Sequence, residues 1–236
     1  MDHVEFDTEF DVLYNNIMSN AAPGLNSYEK SVFLTKAQKE LVKNYFNPKG
    51  NKYGEGFDDN LKREVDFSNI IRVAPALLIN TPSSVLDKRS KVYQIPNDLF
   101  ILLNGVLYTN SGTRQVIPIS YAEYTRLMSK PFKEPLKYQA WRLITTSPDN
   151  TQVEIIANSN DIITEYIVRY LKRPSPIILS NIGEDYNLSI DGINVISECE
   201  LNPIIHSEIL QRAVELAKVA YEGSINDNIG IGQRTE

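Results

Sequence analysis

The chain has 236 residues, 42% of them hydrophobic and 23% charged, and a formal net charge of −6. This composition argues against a fully disordered chain, and a chain of this length can bury roughly 70% of its surface on folding. No run of 18 apolar residues is present, which excludes a transmembrane helix, and the acidic first residues are unlike a signal peptide. The single cysteine, Cys199, excludes an internal disulfide and fits a reducing compartment.

The first predicted elements are two helices. Apolar residues recur at helical spacing near the start of the chain, at Phe6, Phe10, Leu13 and Ile17. A second helix begins at a capping box formed by Asn26 and Glu29 and is predicted to run to about Phe46. Residues 47–60 contain three glycines and a proline, which predicts a long loop.

The second helix is apolar on more than one side, because Phe33 and Phe46 lie off its main apolar stripe. Two interpretations stay open: the helix packs between layers of its own domain, or it packs against a neighbouring copy. A row of lysines lies opposite the stripe and indicates either a solvated face or a DNA-contacting face. The row consists of Lys36, Lys39 and Lys43.

The middle of the chain is predicted to form strands. Alternating and apolar runs begin near residue 91, and Asn104-Gly105 is interpreted as a hairpin turn. A capping box at Ser120 and Glu123 opens a short inserted helix. A long last helix is capped by Asn202 and ends before Gly223.

This order of elements predicts an α+β fold: N-terminal helices, an antiparallel β meander with a short inserted helix, and a long C-terminal helix. The predicted organisation has four parts. They are a helical region with a glycine-rich loop at 1–80, a β-rich region at 81–200, a long helix at 201–223 packing with the N-terminal helices, and an extended docking tail at 224–236.

Motifs that carry chemistry are missing from the sequence. Neither glycine pair, at 54–56 or at 230–232, lies between a strand and a helix, so neither is a phosphate loop. His206 lies on an apolar helix face, and two carboxylates flank Cys199, which raises a thiol pKa and weakens a nucleophile. We therefore predict a protein that is not an enzyme and has no catalytic residues, cofactor or metal.

Three segments resemble virion structural proteins of crAss-like bacteriophages: residues 9–53, 165–177 and 198–223. The first segment begins EFDVLYNNIMSN and is long and specific to this narrow group. The order of elements is also similar to podovirus head-to-tail adaptors. The resemblance implies a ring-forming neck connector between portal and tail, in which dodecameric rings form and a C-terminal tail docks into a neighbouring ring.

The partners that the resemblance implies are further copies of the chain, the portal protein and other neck or tail ring proteins. Genomic DNA would pass through the lumen without specific binding, and no membrane would be involved. The protein would be made in the host bacterial cytoplasm and reside in the virion. We expect docking residues at both ends of the chain and on the second helix: Phe6, Phe10, Phe33, Phe46, Ile225, Ile229 and Ile231.

Two other functions remain as alternatives. A DNA- or capsid-binding virion module would bring several lysines onto one face and bind DNA in a salt-sensitive way; these lysines are Lys36, Lys39, Lys43, Lys88 and Lys91. A carboxylate-based hydrolase would need a cleft in which at least two Asp or Glu side chains converge.

Overall fold

The computed structural model describes residues 1–17, 24–46, 61–80, 87, 90–129, 134–146, 151–183 and 188–226. The chain forms two compact units. The helical unit combines Met1–Ile70 with Pro174–Glu236, and the barrel unit is the continuous segment Ile71–Arg173. The barrel unit is thus an insertion between the two halves of the helical unit.

The helices of the helical unit include the three long ones expected from the sequence. The helices that the structure describes there are α1 (His3–Ile17), α2 (Ser27–Phe46), α3 (Leu61–Asp66) and α5 (His206–Asn226), the last preceded by a 3-10 turn at Pro203–Ile205. Local hydrogen bonds explain where α2 begins: the Asn26 side chain accepts from the Glu29 amide at 2.8 Å, and the Glu29 carboxylate accepts from the Asn26 amide at 3.0 Å. Such reciprocal caps satisfy amides that have no partner within the helix.

The core of the helical unit forms where α5 packs against α1 and α2. Leu34 and Val42 of α2 and Ala213 of α5 are fully buried. A buried cation joins α1 to α2, because Lys30 Nζ lies 2.8 Å from Asp7 Oδ1 and 2.7 Å from Asp11 Oδ2. Helix α1 is therefore held in place by packing on one side and by an ion pair at its edge.

Another buried side of α2 is polar and binds an extended segment of the chain. The Thr35 hydroxyl accepts from the Ile177 amide at 3.1 Å, and the Ser31 hydroxyl accepts from the Leu179 amide at 3.0 Å. Gln38 Nε2 donates to the Ser175 carbonyl at 3.2 Å. These hydroxyl and amide side chains satisfy backbone groups of residues 175–179 that no strand partner serves.

The barrel unit contains eight strands and one helix in the described residues. The strands are β1 (Ile71–Pro75), β2 (Leu77–Ile79), β3 (Lys91–Gln94), β4 (Leu99–Thr109), β5 (Gly112–Pro118), β6 (Gln139–Thr146), β7 (Thr151–Ile156) and β8 (Ile163–Lys172). Helix α4 (Tyr121–Met128) lies between β5 and β6 in the chain. Its Ser120 and Glu123 form the predicted capping box.

The eight strands form one sheet in the order β1-β8-β4-β5-β6-β7-β3-β2. Every pair is antiparallel except β5 with β6, which are parallel and joined through α4. The two end strands of the order, β1 and β2, are separated in the chain only by Ala76. Both ends of the sheet thus meet on one segment, and the sheet nearly closes into a barrel.

The predicted α+β fold with an antiparallel meander, similar to podovirus adaptors, is wrong. The protein is mostly β, with a mixed, nearly closed eight-stranded sheet and some helices. A meander pairs consecutive strands, whereas β8 lies between β1 and β4, and β7 lies between β6 and β3. Periodicity predicts where strands occur, but these long-range partners leave no local signal.

The interpretation of Asn104-Gly105 as a hairpin turn is also wrong, because both residues lie inside β4. The barrel interior is filled by apolar and aromatic side chains, among them Tyr93, Leu107, Ile155 and Tyr166. The ring of Tyr166 packs directly over Gly105, whose missing side chain makes room for it. The glycine serves a close approach within a strand rather than a turn.

Candidate protein-docking surfaces

The phenylalanines predicted near the N-terminus lie inside the helical unit. Phe6 is 1% exposed and Phe10 is 0% exposed. The Phe6 ring centroid is 5.3 Å from that of His206, and Phe10 stacks on Tyr14 at 6.1 Å. The chain itself therefore covers both rings, and the structure does not present them to a neighbour.

The other predicted docking residues have different positions. Phe33 is partly buried on α2, and Phe46 is exposed at the last residue of that helix. Ile225 falls within the range of α5, while Ile229 and Ile231 lie outside the described residues. The docking role of this set stays a prediction.

An apolar groove, named the tyrosine groove here, lies between α1, α2 and α5. Its volume is about 340 Å³, and its lining residues are Tyr14, Leu25, Tyr28, Glu29, Val32, Phe33, Ala217, Ala220 and Tyr221. The Tyr14 hydroxyl is buried and has no hydrogen-bond partner among the described residues. Burial, with smaller effects of Tyr221 and Glu29, raises the pKa of Tyr14, so this hydroxyl stays protonated and can donate a hydrogen bond.

A second candidate surface is the barrel-end patch, defined by Tyr108, Leu136, Tyr138 and Ile162. Their exposed fractions are 41%, 68%, 70% and 66%, in that order. Backbone hydrogen bonds join their segments: the Asn110 amide donates to the Ile162 carbonyl at 3.0 Å, and the Gln115 amide donates to the Tyr138 carbonyl at 3.1 Å. Clustered exposed aromatic and aliphatic side chains are typical of protein interfaces.

A buried ion pair fixes the turns beneath the barrel-end patch. Arg114 Nε lies 2.8 Å from Asp161 Oδ2 and Arg114 Nη2 lies 2.9 Å from Oδ1, which makes the contact bidentate. Ser111 Oγ donates to Asp161 Oδ1 at 2.8 Å. The hydrogen bonds from Arg114 lower the pKa of Asp161, so its carboxylate is ionised at neutral pH and the charged pair joins the two turns.

The side chains of Cys199 and His206, residue types that often take part in catalysis, are buried or hydrogen-bonded within the chain. Burial raises the pKa of the Cys199 thiol to about 11, so the reactive thiolate is scarce at neutral pH. His206 Nε2 donates to the Leu201 carbonyl at 3.0 Å, and burial lowers the pKa of this histidine. Within the described residues, no group of three or more His, Cys, Asp or Glu side chains is arranged to hold a metal ion.

No helix in the described part of the chain has the length and apolar character needed to cross a membrane. The longest helix, α5, alternates buried and exposed positions, as a helix at the surface of a folded unit does.

Comparison with known sequences decides the family. The family described as phage tail ring protein 3/4 matches residues 1–228. The chain belongs to this ring protein family. The chain is 62% identical to ring protein 4/5 of Bacteroides phage crAss001 over 234 residues, which is 98% of both chains. It is 31% identical to ring protein 3 of the same phage over 228 residues, covering 93% of this chain and 96% of the relative.

The family confirms two predictions from the sequence. The resemblance to crAss-like phage ring proteins is correct, and the chain is a structural virion protein rather than an enzyme. The barrel-end patch, in contrast, is a surface that sequence reasoning missed. Leu136 follows Pro135 between two predicted elements, and Tyr138 stands at the start of a run that alternates as a strand, so neither position had a signal of its own as a docking surface.

Proposed function

We propose that this ring protein is a neck subunit that lies between portal and tail, docks the tail and lines the channel through which DNA leaves. The observation that carries the proposal is the ring family's match to nearly the whole chain, together with 62% identity to a crAss001 ring protein over 98% of both chains. Copies of the chain form a closed ring, which we propose to be dodecameric. The ring contacts the portal and other ring proteins.

Two physical features support this role. A ring subunit needs two different side faces that bind each other, and the barrel-end patch and the tyrosine groove supply exposed apolar surface of the kind that interfaces use. The net charge of −6 disfavours tight binding to DNA phosphates, which suits a channel that DNA must leave. The chain is made in the host cytoplasm and assembles into the virion there.

Two of the lysines predicted to contact DNA in the alternative DNA- or capsid-binding module have partners within the chain. Lys39 is paired with Asp191 at 2.5 Å, and Lys91 Nζ donates to the Ile163 carbonyl at 2.9 Å. Lys88 lies outside the described residues. Lys39 and Lys91 are thus bound within the chain, which weakens the case for a phosphate-binding face.

Native mass spectrometry of the purified chain, alone and mixed with the portal protein of the same phage, tests the ring. We expect a single large oligomer in at least one of the two samples, with a mass that is a whole multiple of 26.8 kDa per subunit. A chain that stays monomeric in both samples would contradict the proposal. Salt-sensitive binding of duplex DNA by that monomer would favour the module instead.

The tail at 224–236 is proposed to dock into a neighbouring ring, with Ile225, Ile229 and Ile231 as its anchors. The last two, Ile229 and Ile231, lie outside the described residues. Truncation after Gly223, or replacement of both isoleucines with serine, should give particles that lose tails and leak DNA, because the apolar anchors are gone. Electron microscopy counts of tailed particles measure the effect. A variant with Asn228 and Gln233 replaced by serine is the matched control, and normal particles from the isoleucine variant would disprove tail docking.

A further inference from the structure

A cationic groove, named the lysine groove here, lies along α2 on the helical unit. Its volume is about 350 Å³, and its lining residues are Val32, Thr35, Lys36, Lys39, Glu40, Lys43 and Ile190. The three lysines recur at spacings of three and four residues, so they lie along one side of the helix. Val32 and Ile190 supply apolar surface between them, because Val32 packs against the buried cluster that contains Ile190.

The charge of the lysine groove is only partly cancelled within the chain. Its carboxylate, Glu40, is held by Arg212 Nη2 at 2.9 Å, and Lys39 is paired with Asp191. Lys36 is exposed, and no ion-pair partner for it occurs among the described residues. Lys36 therefore adds an exposed positive charge to the groove, on a protein whose net charge is negative.

The outer face of α1 has the complementary character. Val4 and Val12 lie two turns apart on this face and are 58% and 55% exposed. Glu9 is exposed beside them, and the first eleven residues carry five carboxylates, at Asp2, Glu5, Asp7, Glu9 and Asp11. Lys30 neutralises only part of this charge, so the outer face of α1 carries two exposed valines, with the exposed Thr8 between them, and an acidic border.

Helix α1 cannot turn this face toward the lysine groove of its own chain. Its opposite side carries Phe6 and Phe10, which are buried in the helical unit, and Lys30 fixes the helix to α2. The outer face is consequently available only to another molecule. When two different surfaces of a protein bind each other, each copy binds the next one head to tail. Closed rings are built from such contacts.

We propose that the outer face of α1 of one copy seats on the lysine groove of the next copy, with Val4 and Val12 over the apolar surface and Glu9 facing Lys36. This inference rests on the proposed ring function and names the surfaces that join its subunits. The occupant is a second copy of this chain, chosen by the charge complementarity of the two surfaces.

The experiment combines cross-linking with a charge swap. Copies labelled with ¹⁵N are mixed with unlabelled copies, assembled, and treated with a carbodiimide, which joins carboxylates to lysine amines; we expect a mixed-isotope peptide linking Glu9 to Lys36. Glu9→Lys and Lys36→Glu should each weaken assembly by about tenfold. The double variant should recover most of the loss, because the pair is restored with its signs exchanged.

The outcomes separate this inference from the ring itself. Arg126→Glu on α4 changes the charge by the same amount as Lys36→Glu and should assemble normally. The proposed contact is wrong if the wild type forms rings and both single variants assemble equally well. It is also wrong if the Glu9–Lys36 peptide links only copies of one isotope. In both cases the proposed ring function is unaffected. If the wild type forms no ring, the proposed function fails. DNA binding that Lys36→Glu abolishes without affecting assembly would reassign the groove to nucleic acid.

Discussion

Replacing Gly105 with alanine is expected to destabilise the barrel unit strongly. A Cβ atom at this position would lie 2.6 Å from Tyr166 Oη, 2.7 Å from Cε2 and 3.0 Å from Cζ. Tyr166 is 0% exposed, so its ring has no free space into which it can move. Overpacking of this kind costs about 1–3 kcal/mol, which urea unfolding of the full chain, followed by near-ultraviolet circular dichroism, will measure.

Gly24→Ala is the matched control, because a Cβ there meets no atom within 4 Å. It should leave the free energy of unfolding nearly unchanged. A second variant with both Gly105→Ala and Tyr166→Leu should lose less than the sum of the two single losses, since the smaller side chain relieves the clash. Additive losses would show that the two residues do not share this contact.

The helices were predictable because their signals are local. The capping box at Asn26 and Glu29 and the apolar spacing of Phe6 and Phe10 are complete within one or two turns. The caps and the burial of both phenylalanines in the structure follow from those same residues. Nothing distant in the chain was needed to place α1 or the start of α2.

The barrel was not predictable in the same way, because its pairings join distant residues. Ile71 pairs with Leu171, and Leu77 pairs with Gln94, and neither pairing has a sequence signature. Gly105 is an example. Its neighbour Asn104 makes the pair resemble a turn sequence, but the residue that requires a glycine here is Tyr166, which lies 61 positions later in the chain. Tertiary packing here overrides the local preference.

The docking residues were difficult for a related reason. An apolar helix face predicts burial but does not say whether the covering surface belongs to the same molecule or to another. Phe6 and Phe10 are covered by their own chain. Tyr138 and Ile162 are exposed immediately before β6 and β8, where strand alternation no longer predicts which side is covered. The family resemblance predicted a ring, and only the structure shows which surfaces stay open.

Replacing Arg114 with methionine is the second change with a large expected effect. The side chains of Arg114 and Asp161 are 3% and 5% exposed, so the variant leaves a buried carboxylate without its cation, which is strongly unfavourable. The turn at Ser111, which also binds Asp161, is then held only by a carboxylate that has lost its cation. We expect the melting temperature to fall by several degrees and assembly to weaken, because the barrel-end patch above these turns loosens.

The pH dependence distinguishes loss of this ion pair from a general packing defect. The pKa of Asp161 in the folded protein is lowered, first by its hydrogen bond from Arg114, so the unfolded state binds more protons as the pH falls below about 4. The stability that the pair contributes is present above this range and is lost as the pH falls through the lowered pKa. The difference in melting temperature between wild type and Arg114→Met should therefore be largest near neutral pH and shrink in acid.

The double variant Arg114→Met with Asp161→Leu completes the test. Replacing both charges with apolar side chains removes the unpaired carboxylate and should recover much of the lost stability. The recovered protein would still lack the hydrogen bonds that tie Ser111 to the patch, so assembly should recover less than stability does. If assembly returns fully with stability, the ion pair only supports the fold; if the difference in melting temperature is the same at every pH, the charge of Asp161 is not its cause.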